Sequence, residues 1–248
     1  MDWQDEGIVL ASRRHGEGDS VLSVLTREHG RHLGLVKGGA SRRQRPVLEI
    51  GNRLTVIWRA RLAEQLGQFQ VEQATAVAAG LLDDPLRLAG LAAACAVTDL
   101  ALPEREPHAE VFADLAALIE VIVAGAAGWP RGYVSWELAL LADLGFGLDL
   151  GHCAVTGATA GLAFISPKTG RAVTAAAGLP YAERLLVLPA FLTDRTAAAD
   201  RADLLAGLRL TGHFLERHAF HQSGHPGGNG RRLAARDRFI ERLAAQSG

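Results

Sequence analysis

The stretch LGLVKGGASRRQRPV, Leu33–Val47, sets Lys37, two glycines and then Arg42, Arg43 and Arg45 within nine residues. Ammonium and guanidinium groups beside pliable backbone suit one chemistry, the gripping of phosphate oxygens by charge-assisted hydrogen bonds. Two ligands carry such oxygens: a nucleotide and a nucleic-acid backbone. A nucleotide-hydrolysing loop needs G-x-x-x-x-G-K-[ST], with lysine and hydroxyl following the last glycine into a helix. Here Lys37 precedes Gly38 and Gly39, and ASRRQRP has no apolar helical repeat before Pro46. That order rules out the nucleotide. It leaves a loop whose glycines let backbone approach a phosphate and whose arginines add charge without reading bases. A basic hairpin tip without fixed conformation would read the same way.

Three other clusters hold residue types that could carry chemistry. His213, His218, His221 and His225 crowd into thirteen residues. Only His218 and His221 share a helix face, and no carboxylate or cysteine completes a ligand spacing, so they read as a solvated helix end. The segment HCAVTGATAGLAFISPKTGRAV, from His152, looks like a small β-rich insert with turns at Gly157, Gly161 and Gly170. Zinc ribbons look similar, but Thr156 stands where a C-x-x-C pair with Cys153 would close, and one thiol cannot hold zinc. Gly145, Gly147 and Gly151 miss the dinucleotide fingerprint, whose third glycine would fall at Leu150. No nucleophile, base and orienter stand at a recognisable spacing. The chain is therefore expected to be no enzyme and to carry no cofactor and no metal.

The elements that must position the basic loop are strands. GIVLASRR, VLSVLTRE and HLGLVKGG are separated by the turns HGEGDS and HGR. In RLTVIWRARL the side chains of Leu54, Val56, Trp58, Ala60 and Leu62 face one way. Arg53, Thr55, Ile57, Arg59 and Arg61 face the other, because a strand turns successive side chains to opposite sides. LGQFQVEQA follows with Phe69 and Val71 inward and Gln68 and Gln70 outward. Five short strands in about eighty residues predict a small closed barrel of the oligonucleotide-binding type. A small sandwich or an SH3-like barrel would give the same pattern. From about Leu81 the period becomes helical. Asp84 and Pro85 make a good helix start, with a helix to about Ala101. PHAEVFADLAALIEVIVAG carries the stripe Val111, Phe112, Leu115, Leu118, Ile119, Ile122 and Val123. RGYVSWELALLADLGFG is apolar on most sides and reads as a buried central helix. ADLLAGLRLTGHFLERHAF and RRLAARDRFIERLAAQ complete the helices. The predicted class is α+β: a barrel over 1–80, then a mainly helical domain over 81–248 with the β-rich insert at about 152–175.

The 248 residues leave room for two domains, and 48% hydrophobic with 21% charged residues is a globular composition. No run of eighteen apolar residues occurs, and the acidic start MDWQDEG is unlike a signal peptide. A cytoplasmic location and no membrane partner are expected, and two cysteines fit a reducing compartment. Only two of the 26 basic residues are lysine, so arginine usage alone says little about phosphate. Position says more. Arg27–Arg61 holds nine basic and two acidic residues, a local charge of +7 in a chain of net charge −1. One concentrated cationic segment on a near-neutral protein points to a local polyanion contact.

GIVLASRRHGEGDSVLSVLTREHGRHLGLVKGGASRR resembles the start of the RecO family of bacterial DNA repair proteins, where a GE-D-(V/I)L turn and a KG ahead of a basic hairpin are typical. ELALLADLGFGLDLGHCAVTG, SPKTGRAV and LRLTGHFLERHAF look like the helical part of that family. The resemblance implies a recombination mediator without ATP hydrolysis that binds single- and double-stranded DNA and anneals complementary strands. It implies contact with single-strand-binding protein and, with the partner RecR, help in placing RecA on coated strands, hence a nucleoid-associated protein. It also implies DNA contacts at Arg13, Arg14, Arg31, Lys37, Arg42, Arg43, Arg45, Arg53, Arg59 and Arg61. Many relatives carry four cysteines around the insert, whereas only Cys153 matches here, so Leu162, Phe164 and Ile165 are expected to replace the metal by apolar packing. Trp58 and Phe69 fall on the inward parity, which leaves no evident stacking platform and points to backbone-dominated binding. A reading from another class stays open: a protein scaffold whose cationic barrel grips an acidic protein tail.

Overall fold

A computed structural model of the chain describes residues 1–220 and 229–246. Two compact units emerge. One is Met1–Ala127 with the 229–239 part of the last helix, and the other starts at Gly128.

Five strands open the first unit: β1 Asp2–His15, β2 Asp19–Thr26, β3 Gly30–Val36, β4 Arg53–Arg59 and β5 Gln68–Thr75. They close in the order β1-β2-β3-β5-β4, so the barrel stands and the sandwich falls. β1 starts five residues earlier than the apolar run GIVL suggests. Asp2 to Ile8 pair residue for residue with Arg59 to Arg53, while Gly7 to His15 pair with β2 across a bulge between Val9 and Ala11. One long strand thus serves two neighbours, and the bulge gives it the bend that closure needs. Val9, Leu22, Val24, Leu54, Val56, Trp58 and Phe69 fill the interior. The alternation in β4 is as expected through Trp58, but the strand stops at Arg59. Arg61 and Leu62 lie beyond it, and Leu62, expected inward, is 59% exposed.

α1, Pro85–Ala101, begins where expected, with the Asp84 carboxylate accepting from the Arg87 backbone N–H at 3.0 Å. α2 is Ala109–Ala124 and ends at Gly125 in the left-handed region. Its stripe is buried except for Val123, which is 39% exposed. Barrel and α1 share a buried polar junction. The Ser23 hydroxyl donates to Asp99 Oδ1 at 2.6 Å, and Arg31 donates Nη1 to the same oxygen and Nε to the Leu102 carbonyl at 2.8 Å. Gly30 has φ +69°, and a Cβ there would stand 1.9 Å from the Glu106 carbonyl oxygen. Only glycine lets the β2–β3 turn approach that segment.

In the second unit, α3 (Trp129–Asp143) buries Tyr133, Val134, Trp136, Leu140 and Leu141. It also exposes Ser135, Ala139 and Ala142, so one face of a helix expected to be buried is open. α5 (Arg201–Phe214) is fixed to α3 by the Thr211 hydroxyl, which donates to the Glu137 carboxylate. The β-rich insert is a sheet of order β7-β6-β8, from β6 Leu162–Ile165, β7 Ala172–Thr174 and β8 Leu186–Val187. It reaches past the expected end at 175 because Phe164 and Ile165 pair on their second side with Val187 and Leu186. The short α4, Ala175–Gly178, lies between β7 and β8 in the chain; α6, Asn229–Ala245, is the last described helix, and only its part from Ile240 belongs to this unit. No described helix is long and apolar enough to cross a membrane.

Candidate nucleic-acid interface

The basic loop between β3 and β4 is folded, not a free hairpin tip. Gly38 takes φ +66° and its N–H donates to Asp19 at 2.9 Å. The Ala40 N–H donates to the Gly18 carbonyl at 3.0 Å, which ties the loop to the β1–β2 turn. A single helical turn follows, with the Arg45 N–H on the Ser41 carbonyl at 2.9 Å, and Leu48 then inserts into the barrel core at 2% exposure. The hydrophobic anchor and the turn hold Arg42, Arg43 and Arg45 outward. All three are exposed, and none makes an ion pair with a described residue.

Two clefts flank this loop. Ser12, Arg14, Ser20, Ala40 and Arg45 line one of about 300 Å³. Lys37, Gln44, Ile57, Arg59, Gln68 and Gln70 line part of another, also about 300 Å³. Both clefts border the loop, one lined by Arg14 and Arg45 with the hydroxyls of Ser12 and Ser20, the other by Lys37 and Arg59 with the amides of Gln44, Gln68 and Gln70. Sequence reasoning missed Ser12 and Ser20. Two-residue spacing puts Ser12 on the Arg14 face, and Ser20 is the cross-strand partner of Arg14.

The remaining candidates separate by partner. Arg13 is exposed but projects to the opposite side of β1 from Arg14. Arg61 is exposed in the segment after β4. Arg53 stands 3.6 Å from Glu6 and 3.5 Å from Glu120, so carboxylates occupy it. Lys37 donates to Asp19 at 2.9 Å but is 65% exposed at its side chain and can exchange partners. That ammonium, with the Gly38 N–H, holds the Asp19 carboxyl below the usual carboxylate range. Arg31 is the clear correction: at 2% exposure it faces Asp99, Leu102 and Glu104, with no surface left for a phosphate.

Trp58 and Phe69 point inward as expected, joined by Trp3 and His32. The His32 ring centroid lies 4.8 Å from Trp58 and 5.0 Å from Trp3. Burial among these rings pushes the His32 pKa down to about 4, with the charges of Arg105, His29 and Arg31 acting the same way.

Of the histidine cluster, His221 and His225 lie outside the described residues. His213 approaches the Pro167 carbonyl at 3.1 Å, and His218 is half-buried, stacked on Phe146 at 4.6 Å, so the pair is not a solvated helix end. A four-cysteine zinc site does not fit this chain. The Cys153 sulfur accepts the backbone N–H groups of Thr156 at 3.4 Å and Thr174 at 3.3 Å. The Thr156 hydroxyl first, then these amides, draws its pKa down to about 6. Among the described residues no three His, Cys, Asp or Glu side chains are grouped to hold a metal ion.

Residues 1–78 match the family model for the recombination protein O N terminal, and residues 82–225 match that for the recombination protein O C terminal. The chain is 52% identical over 244 residues to a DNA repair protein RecO of Rhodospirillum centenum, covering 98% of this chain and 94% of the relative. A DNA repair protein RecO of Methylobacterium nodulans is 52% identical over 229 residues, covering 90% and 92%. One of Rhodospirillum rubrum is 47% identical over 249 residues, covering 98% and 96%. With both halves matched in order and relatives alike over nearly their full length, this chain belongs to the RecO family of DNA repair proteins.

Proposed function

We propose that this protein is a DNA-binding recombination mediator. It binds single- and double-stranded DNA through the phosphate backbone and anneals complementary strands in the cytoplasm. With RecR it helps load RecA on single strands coated by single-strand-binding protein, and it does so without a catalytic step. The observation that carries the reading is the anchored loop, which holds Arg42, Arg43 and Arg45 outward without carboxylate partners among the described residues, while Arg14, Lys37 and Arg59 line the clefts beside it. Family membership supports it independently. A polyanion neutralises guanidinium groups that the protein leaves unpaired, and the released counterions drive association.

The test is fluorescence anisotropy of a labelled mixed-sequence oligonucleotide, single- and double-stranded, as salt rises. Affinity is expected to fall steeply with salt. Changing Arg42, Arg43 and Arg45 together to alanine should flatten the slope by about three phosphate equivalents at most. Absence of binding at low salt would refute the reading. Annealing of coated complementary strands, with and without RecR, examines the mediator step.

A further inference from the structure

The second unit carries cations of its own, on α5 and on the turn between β6 and β7. Arg209 is exposed on α5, and His213 follows four residues later on the same helix face. The helix then passes into one turn of π type, Leu215–Ala219, a rare winding that recurs at functional sites. Here Arg217 Nη1 donates to the Pro167 carbonyl at 2.7 Å, and His213 Nε2 stands 3.1 Å from the same oxygen. Pro167 is thereby fixed. Lys168, next in the chain, is exposed on a turn closed by the Gly170 N–H on the Ser166 carbonyl at 2.9 Å. Arg209, Arg217 and Lys168 make no ion pair with a described residue, although Glu216 is exposed on the same π-type turn. Asp149 is taken by Arg171 at 3.6 Å. An aromatic stack adjoins these charges. The Phe146 and His218 rings, both half-buried, lie 4.6 Å apart at 15°, with Phe214 at 6.3 Å from His218. A Cβ on Gly170 would stand 3.7 Å from the Phe214 ring, which places the stack against the Lys168 turn. Burial first, then the charges of Arg217 and His213, hold His218 below the usual histidine range, so its ring is neutral near pH 7.

We infer that this patch is a second single-strand site, with phosphates on Arg209, Arg217 and Lys168 and a base against the Phe146–His218 pair. The inference rests on the DNA-binding reading and adds a second strand to it. Annealing joins two strands, and holding each on its own surface of one chain raises their effective concentration for each other. The chemistry favours a strand over a carboxylate-bearing peptide. Cations spaced along one stripe match repeated phosphates, and a neutral imidazole stacked on a phenyl ring takes the face of a base. The barrel offers no such face, because Trp58 and Phe69 point inward.

The test uses the full chain and a labelled mixed-sequence strand of about 12 bases, close to the footprint of one barrel. Sedimentation at saturating strand counts the strands bound per chain, and two are expected. Changing Lys168, Arg209 and Arg217 together to alanine alters exposed positions only, so the fold should persist, which thermal melting checks. This variant should bind one strand, with the affinity of that strand within about twofold of wild type and the annealing rate lowered about tenfold. Phe146→Leu keeps apolar bulk and removes the ring, and should weaken the second strand about fivefold. Changing Arg42, Arg43 and Arg45 to alanine should weaken the first strand and spare the second. The inference is overturned if wild type binds a single strand per chain, which leaves the DNA-binding reading intact. It is equally overturned if neither second-unit variant weakens the second strand, since the patch would then face a protein or nothing, or if the loop variant weakens both strands alike. A wild-type protein that binds no strand at low salt defeats the DNA-binding reading and the second site with it.

Discussion

Arg31 and Arg42 look alike as letters in one cationic segment, yet one is a buried strut and the other an open charge. The difference lies 68 residues away, in the Asp99 carboxylate that accepts from Arg31. No local pattern announces a partner that distant, so strand alternation could place Arg31 but not bury it. Arg53 was hidden in the same manner by Glu120 on α2. What the local pattern did reveal was the freedom of Arg42, Arg43 and Arg45, because a polar glycine-flanked run has no apolar neighbours to carry it inward. His32 gives a testable consequence at this scale. Its folded pKa of about 4 lies below the unfolded value near 6.5, so between these pH values the unfolded chain binds more protons. The stability is complete above about pH 6.5 and is lost as the pH falls towards 4, by up to about 3 kcal/mol. Urea midpoints measured from pH 7 to pH 4.5 should fall, and His32→Leu should flatten the decline; an unchanged slope would show that other groups cause it.

Elements were legible where local chemistry fixes an end. Asp84 and Pro85 announce α1 because a carboxylate cap and a proline in the first turn satisfy what the helix start lacks. The first residues of β1 had no such signal. Asp2, Gln4 and Glu6 are polar, and they are strand because β4 supplies ladder partners. β8 is two residues long and exists only as the second neighbour of β6. The basic loop falls between these cases: glycines marked the bend, but its anchor, Leu48, is one leucine in a run without period. Its register against the barrel depends on Gly39, where a Cβ would stand 2.8 Å from the Ser20 Cβ and 3.0 Å from the Val36 carbonyl oxygen. Gly39→Val should therefore displace the loop from the β1–β2 turn without removing any charge. The expected result is a native far-ultraviolet spectrum with oligonucleotide affinity lowered about tenfold. Native affinity would mean that loop charge matters and loop position does not.

Across the whole molecule the formal charge is −1, so binding to a polyanion must come from where charge sits and not from its total. The segment with local charge +7 was legible in the sequence, but the structure spends part of it. Arg31 and Arg53 are held by carboxylates, and Arg27 is paired with Glu6. Arg14, Lys37, Arg45 and Arg59 line the two clefts beside one loop, whereas Arg13 and Arg61 are exposed and are not among the described lining of either. Two sets of equal charge can therefore be compared. Neutralising Arg14, Lys37, Arg45 and Arg59 changes the net charge by the same amount as neutralising Arg13, Arg27, Arg53 and Arg61. If DNA senses only the mean field, both variants lose affinity alike, and long-range attraction fades with salt over about 10 Å. If phosphates sit in the clefts, counterions leave from those sites, and the first variant alone should lower the single-strand salt slope, by about 3. The second should change it by less than about 1. Anisotropy from low to moderate salt on both variants decides the matter, and equal slopes would rule out the clefts as phosphate sites while leaving the family assignment untouched.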